Sequence, residues 1–347
     1  ALGPSSELFS DLSRKELVAD QIAELSTRYR NAAFKCLEAD NYLWQQNVTT
    51  LQALILIYSI NHSHGQTWTL LGMTYHIALS LGCHIDPSDF GLDIVRCEER
   101  RRCWAGLMML FMIQGTSMGH LGPDPWATSE GVQMPSDLDD CDLVANEYVL
   151  PLTSRHATQM SYLLFETPFY KIANEVCPVV RNAIKPPTSL IGRLDEKILS
   201  EQRSWHDKYL VHSAIVEPPT YHKAHLNILQ GYSHQLLMLL HNHAMRTSID
   251  SQQCHLSASK ALRSAKKLLR IHSVFFTKIE FSPFRWYLRG IGSFHAYHAA
   301  VSLMAILTER SWDLAHRDIL SSVKQCVDRF GTLAETSIIY SKAVPVL

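Results

Sequence analysis

The chain is short of glycine, with 15 in 347 residues, about 4% against roughly 7% in an average protein. Strict apolar–polar alternation is also scarce, which argues against a sheet-rich fold and for helix. No excess of charge of either sign is present. Lys and Arg total 32, Asp and Glu 33, and the formal net charge is −1. A free-standing nucleic-acid binder draws its affinity from a basic surplus, so that class is disfavoured. Long apolar runs are missing too. The longest, near 51–60, is too short for the ~20 residues of a membrane span. The opening Ala1-Leu2-Gly3-Pro4 has no start Met, basic n-region or apolar h-region, so no secretory signal is expected.

Cysteine pairs at close spacing are absent. The eight cysteines stand at 36, 83, 97, 103, 141, 177, 254 and 326. Scattered in this way they read as core thiols of a reducing compartment, not as a disulfide framework. Signature motifs of common enzymes are missing as well: no Walker loop, dinucleotide fingerprint, Gly-x-Ser-x-Gly or His-Glu-x-x-His occurs. No cofactor is called for.

What is present is a globular composition, 46% apolar and 19% charged, arranged at helical spacing. Ser13 and Glu16 form a capping-box pattern that predicts a following helix. Residues 49–60 are apolar nearly all round, the mark of a central helix. Trp68, Leu71, Tyr75, Ala78 and Leu79 recur at three and four residues and predict a helix ending at Gly82. A further helix is predicted from Glu98 to Met118, with its acids set at the start to suit the helix dipole. Residues 119–142 read as one long ordered loop. Helices are expected at about 152–182, 189–212, 219–246, 253–274, 284–309 and 313–340. The fold class is all-α: one large domain over 1–347, its helices in antiparallel pairs around a central core or cavity.

Five segments then fall in a familiar order. They are Leu51-Gln52-Ala53-Leu54, Trp68 to Met73, Ala78 to Pro87, Glu98 to Trp104, and Met134 to Asp140. In residues and spacing the stretch 29–143 resembles the fungal-specific transcription factor domain, the middle homology region of zinc binuclear-cluster regulators. The resemblance continues more loosely to 310, through Leu239-Leu240-His241-Asn242-His243 and the segment 251–261. It implies an all-helical domain of a nuclear regulator that links a DNA-binding module to activation segments and often responds to metabolites. The chain departs from the family in three ways. The family's Asp-Arg after the tryptophan is replaced by Phe111 and Met112. Its Gly-Arg-Pro is replaced by Gly119 to Pro123. No zinc cluster is present, so no direct nucleic-acid contact is expected from this chain. Exchange of a buried ion pair for apolar groups reads either as core repacking or as a reshaped cavity for an apolar ligand.

Eighteen histidines raise the question of metal and proton chemistry. His295 with His298, and His222 with His225, share helix faces, but neither pair has a third ligand at metal-site spacing, and no metal site is expected. His298 lies on an apolar stripe with Tyr287, Ile291, Phe294 and Val301, and a buried histidine needs a partner. Asp137, Asp139 and Asp140 read as a structural loop. Arg100 to Arg102, beside Glu98 and Glu99, read as a solvated or interhelical salt-bridge face. The four methionines at 108, 109, 112 and 118 read as core or as an adaptable pocket wall.

Two functions follow. The first is a ligand-responsive regulatory domain that takes a small apolar metabolite, its DNA-binding module lying outside this chain. Its candidate ligand residues are Trp68, Tyr75, Trp104, Met108, Phe111, Met112, Phe294 and His298. The second is a stand-alone relative repurposed as a cofactor-free cyclase or pericyclase of secondary metabolism. For it His298, His295, Tyr297 and Trp286 are the candidate catalytic groups. A regulator would be nuclear and the repurposed enzyme cytoplasmic. Secretion and membrane attachment are not expected, and a homodimer is left open.

Overall fold

The structure is a computed structural model. It describes residues 19–61, 67–118, 131–144, 156–182, 185–211, 217–247, 251–309, 316–334 and 338–346. Among these the chain is all-α, with no strand. The expected capping box at Ser13 and the first half of the 119–142 loop, 119–130, lie outside the described residues. The chain divides into two compact units, one built from 1–114 and 122–153, the other from 115–121 and 154–347.

The first unit holds α1 (Ala19–Ala39), α2 (Val48–Asn61), α3 (Thr67–Ser80) and most of α4 (Ile94–Met118). Asn47 starts α2, its Oδ1 accepting the Thr50 amide at 2.8 Å, which satisfies one of the free N–H groups of the first turn. Leu51, Leu54 and Tyr58 of α2 are fully buried or nearly so, each full burial being worth roughly 1.5–3 kcal/mol. Gly82 ends α3 as the sequence predicts. It sits at φ 71°, and the Cys83 and Gly82 amides fold back to Ala78 and Leu79 carbonyls at 3.0 Å each. That closure needs a left-handed residue, which glycine adopts without steric cost.

The start of α4 differs from expectation. It begins at Ile94, not Glu98, because Asp93 caps it: Oδ1 accepts the Arg96 amide at 2.9 Å. Glu98 therefore lies in the second turn and does another job. It is 1% exposed and accepts the amide and hydroxyl of Ser136 at 3.0 and 2.9 Å. Beside it Arg101, 5% exposed, grips Asp86 through two bonds of 2.6 and 3.2 Å. Asp86 also accepts the amides of Ser88 and Gln133. Arg102 reaches Asp140 at 2.5 Å, and Arg100 donates to the Leu81 carbonyl at the end of α3. Of the two readings of the arginine run, the structure shows the salt-bridge face: Arg101 is buried, and Arg100 and Arg102 are half-buried. The run pins the segment 131–142 and the turn after α3 onto α4.

The second unit holds α5 (Ser161–Arg181), α6 (Thr188–His206, continued by a π-turn at Asp207–Val211), α7 (Thr220–Thr247), α8 (Ser251–Thr277), α9 (Trp286–Arg289), α10 (Ile291–Glu309), α11 (His316–Leu333) and α12 (Ile338–Ala343). A 3-10 turn, Ile279–Phe284, joins α8 to α9. The helix expected from 152 begins at Ser161, whose hydroxyl accepts the Thr158 amide at 2.8 Å in the turn before it. Two prolines, Pro168 and Pro178, lie inside α5. The helix expected at 284–309 is broken at Gly290, whose φ −120° and ψ −123° are not helical.

Helices α7 and α8 run antiparallel. His241 meets Ser257, and His234 meets Ser264 further toward the α7 start. Helix α10 instead runs parallel to α7: Gln235 pairs with His298, and Asn242 with Ser302. Having gone out along α7 and back along α8, the chain returns in the first direction, and α10 closes on both. Fully buried alanines at 258, 261 and 265 of α8 and at 296, 299 and 300 of α10 keep that packing close. Residues Ile291–Thr308 are long and apolar enough to cross a membrane by length and composition, and 61% of the stretch is buried within the protein. Asp195 of α6 ties three helices, bonding His241 at 3.0 Å and Lys260 at 2.5 Å. All eight cysteines are free thiols.

Candidate functional site

The predicted site residues fall in both units. In the first, Phe111 packs edge-on against Trp68 and Tyr75, with ring centroids 6.1 and 5.4 Å apart. Tyr75 in turn leans on Trp104 at 5.9 Å. Trp104, Met108 and Met112 are 0–2% exposed, while Trp68 is 41% exposed. Phe111 itself is half-buried, beside the fully buried Met112. The Trp104 indole N–H is buried without a hydrogen-bond partner.

In the second unit a different set converges. Helix α5 contributes Tyr162 and Glu166, one turn apart on the same face. Helix α7 contributes His225, Tyr232 and Gln235. Helix α9 brings Tyr287, and α10 brings His295 and His298. Tyr287 is seated by two glycines. A Cβ at Gly231 would stand 2.6 Å from its hydroxyl, and one at Gly292 2.5 Å from its ring. The Tyr287 hydroxyl lies 3.5 Å from His295 Nδ1, and the Tyr232 ring packs edge-on to His295 at 5.3 Å. The Tyr162 ring lies 4.6 Å from that of His225. The Gln235 side-chain amide pairs with His298 Nδ1 at 2.9 Å. The Phe294 ring lies 4.0 Å from that of His298, tilted by 50°, and Tyr297 flanks it at 6.1 Å. Trp286 stands perpendicular to Tyr287 at 6.3 Å, its indole N–H buried and unpartnered.

Sequence reasoning missed Glu166, the central member. It is wholly buried, and neither carboxyl oxygen makes a well-formed hydrogen bond. Burial pushes its pKa up to about 8, with the Tyr162 hydroxyl drawing it part-way back. At neutral pH it is therefore a carboxylic acid and a donor. Burial, with Glu166 close by, also lifts Tyr162, Tyr232 and Tyr287. Burial pulls His295 and His225 down to about 3, and His298 downward. The nest is thus rich in hydrogen-bonding groups yet carries no charge at pH 7. It can receive a neutral polar group of a ligand, or pass a proton from Glu166. A signal was available: Glu166 is the lone acid in Tyr162-Leu163-Leu164-Phe165-Glu166-Thr167-Pro168-Phe169.

The His222–His225 pair, weighed for metal, packs instead among aromatic rings. His222 lies against Tyr209 and Tyr221. Among the described residues no three His, Cys, Asp or Glu side chains gather as a metal-binding set.

Residues 9–120, about a third of the chain, match the family described as the fungal specific transcription factor domain. The chain is 26% identical to an uncharacterized transcriptional regulatory protein of Schizosaccharomyces pombe, covering 78% of this chain and 42% of that protein. It is 24% identical to the fusarisetin A cluster transcription factor of a Fusarium species, over 86% of this chain and 41% of that protein. A Zn(2)-C6 fungal-type transcription factor of Monascus ruber is 26% identical over 52% of this chain and 23% of its own length. The chain spans less than half the length of these curated relatives. No solved structure matches it significantly.

Proposed function

We propose that this chain is the ligand-responsive regulatory domain of a fungal transcriptional regulator that controls a secondary-metabolite gene cluster from the nucleus. Its homologues are fungal transcription regulators, and the family match falls on the unit held by the Glu98–Arg101–Asp86 clamp. The motif residues there are consumed by structure: Arg101, Glu98 and Ser136 bond one another's segments and leave no free catalytic set. Ligand response is assigned to the nest around Glu166. A buried acid with no well-formed hydrogen bond is costly, and a small, mostly apolar metabolite bearing one polar group offsets that cost by supplying the partner. This single observation, a buried Glu166 with no well-formed hydrogen bond, carries the reading.

The test uses the complete gene product. Sequence-specific binding to promoter DNA, and reporter output that Glu166→Leu uncouples from pathway metabolites, support the proposal. Failure of the complete product to bind any promoter of its neighbouring genes overturns it.

The same nest favours a second reading, a repurposed cyclase. An acid protonated at neutral pH, between tyrosines and His295, is suited to protonating a polyene or carbonyl substrate. Its test is turnover of isolated pathway intermediates above the uncatalysed background, and loss of that turnover in Glu166→Gln.

A further inference from the structure

A groove of about 310 Å³ runs between α7 and α8 and is closed at one end by the 3-10 turn 279–284. Its position follows from helical register. Lys223, Leu226 and Asn227 share a face of α7, as do Lys267, Arg270, Ile271 and Val274 of α8, with Lys278 just past its end. The floor is apolar. Ile271 and Phe281 are buried, and Phe281 is locked against Phe275 with centroids 5.1 Å apart. Leu226 and Val274 complete it.

The rim is cationic, and its charges are unevenly matched. Lys223 is paired with Glu217, and Lys278 with Glu280 at 3.5 Å. Lys267 and Arg270 have no acidic partner among the described residues. They stand three apart on one helix face, an arrangement that costs stability in isolation. Burial, reinforced by Arg270, pulls the Lys267 ammonium below its usual pKa. Half-buried Lys267 and exposed Arg270 thus present two like charges from one helix face beside an apolar floor, a position that suits an anion.

We propose that this groove binds an amphiphilic organic anion, its apolar body on Leu226, Ile271, Val274 and Phe281 and its carboxylate between Lys267 and Arg270. The volume is at the lower end of small-ligand pockets. The arrangement does not suit a nucleic-acid backbone, which is met by a row of cations without a greasy floor; here Glu280 also stands on the rim. The site is separate from the Glu166 nest and goes beyond the function proposed above, since it predicts a charged ligand where the nest predicts a neutral one.

The experiment is calorimetric titration of the full chain with 4-phenylbutyrate, its uncharged amide 4-phenylbutyramide, and inorganic phosphate. Saturable binding of 4-phenylbutyrate is expected, at least tenfold tighter than either of the other two. Lys267→Met/Arg270→Met should weaken it at least tenfold while leaving the helical circular dichroism unchanged. Lys267→Gln alone, a milder change, should weaken it several-fold. Val274→Glu, which puts a like charge on the floor, should abolish it. Equal binding of phosphate would make this a bare anion site and overturn the proposal. So would unaltered binding in the lysine and arginine variants, no saturable binding at all, or displacement of 4-phenylbutyrate by a short DNA duplex. The readout needs only this chain, so it fails or succeeds independently of promoter binding.

Discussion

The Tyr287 hydroxyl occupies the space that a side chain at position 231 would need. Gly231 lies mid-helix in α7, and a Cβ there would come within 2.6 Å of that oxygen and 3.4 Å of His295 Nδ1. The same ring lies close over Gly292, where a Cβ would come within 2.5 Å of it.

Gly231→Ala should therefore destabilise the chain by about 1–3 kcal/mol, the usual cost of overfilling a tight interior, despite the roughly 1 kcal/mol by which alanine is the better helix former. In a Tyr287→Phe background the nearest atoms fall back to 3.4 and 3.8 Å, and the same substitution should become neutral or stabilising. Urea denaturation of the four proteins of this cycle reads the change of sign.

Stability should peak near neutral pH. Glu166 has a folded pKa of about 8 against about 4.5 unfolded. Between those values the folded state holds the proton more often, so the Glu166 contribution falls as pH rises from 4.5 toward 8, by up to ~1.4 kcal/mol per pH unit. His225, His272 and His295 act oppositely. Burial lowers each to about 3, so their contribution is complete above the unfolded value near 6.5 and is lost as pH falls toward 3. Glu166→Gln should remove the alkaline decline and leave the acid limb in place. A set of urea melts from pH 4 to 9 shows both limbs, and an unchanged alkaline slope in the variant would refute the assignment.

Arg101→Met should cost about 3–5 kcal/mol, because it strands Asp86 as a buried charge. At the exposed Arg203–Glu196 pair, Arg203→Ala should cost under about 1 kcal/mol. Burial works to raise the Asp86 carboxyl, but bonds from Arg101, Ser88 and Gln133 outweigh it and hold it well below the usual range. Its stabilisation is thus full above about pH 4 and is lost as pH falls through the depressed value. Chemical denaturation at pH 7 and pH 3 tests both statements.

Tyr340 of α12 holds two distant groups. Its hydroxyl donates to the Leu288 carbonyl at 2.5 Å and accepts from His272 Nε2 at 3.0 Å. Tyr340→Phe keeps the packing on Phe330 but leaves both partners buried and unmet, at a cost of about 1–3 kcal/mol. Thermal melts of the variant against the parent measure it.

The helices were legible in the sequence where apolar residues recur at three and four, as at Trp68 to Leu79 and Ala261 to Leu269. Boundaries were legible where a glycine closes the turn, as at Gly82, and less so where a side-chain cap decides, as at Asp93. The break at Gly290 was not legible, because the apolar stripe runs through it. The arginine run left a solvated and a salt-bridge face both open. Only the meeting of Arg101 with Asp86, fifteen residues away, explains why it is buried. His295 and His298 were singled out from their stripe. Glu166 was not, since an acid in a helix is usually solvated, and its burial depends on three other helices.

The two prolines of α5 bear on Glu166 in a further way. Pro168 lies two residues past it and has no amide proton to give the Leu164 carbonyl, and Pro178 likewise offers none to Asn174. The helix that carries the buried acid is accordingly the one laced most loosely beside it. Opening a single turn there would let solvent, or a visiting molecule, reach the carboxyl while the rest of the bundle stays shut. The amides flanking Pro168 should exchange with deuterium ahead of those of α7 and α8, which makes this turn the natural doorway to the interior.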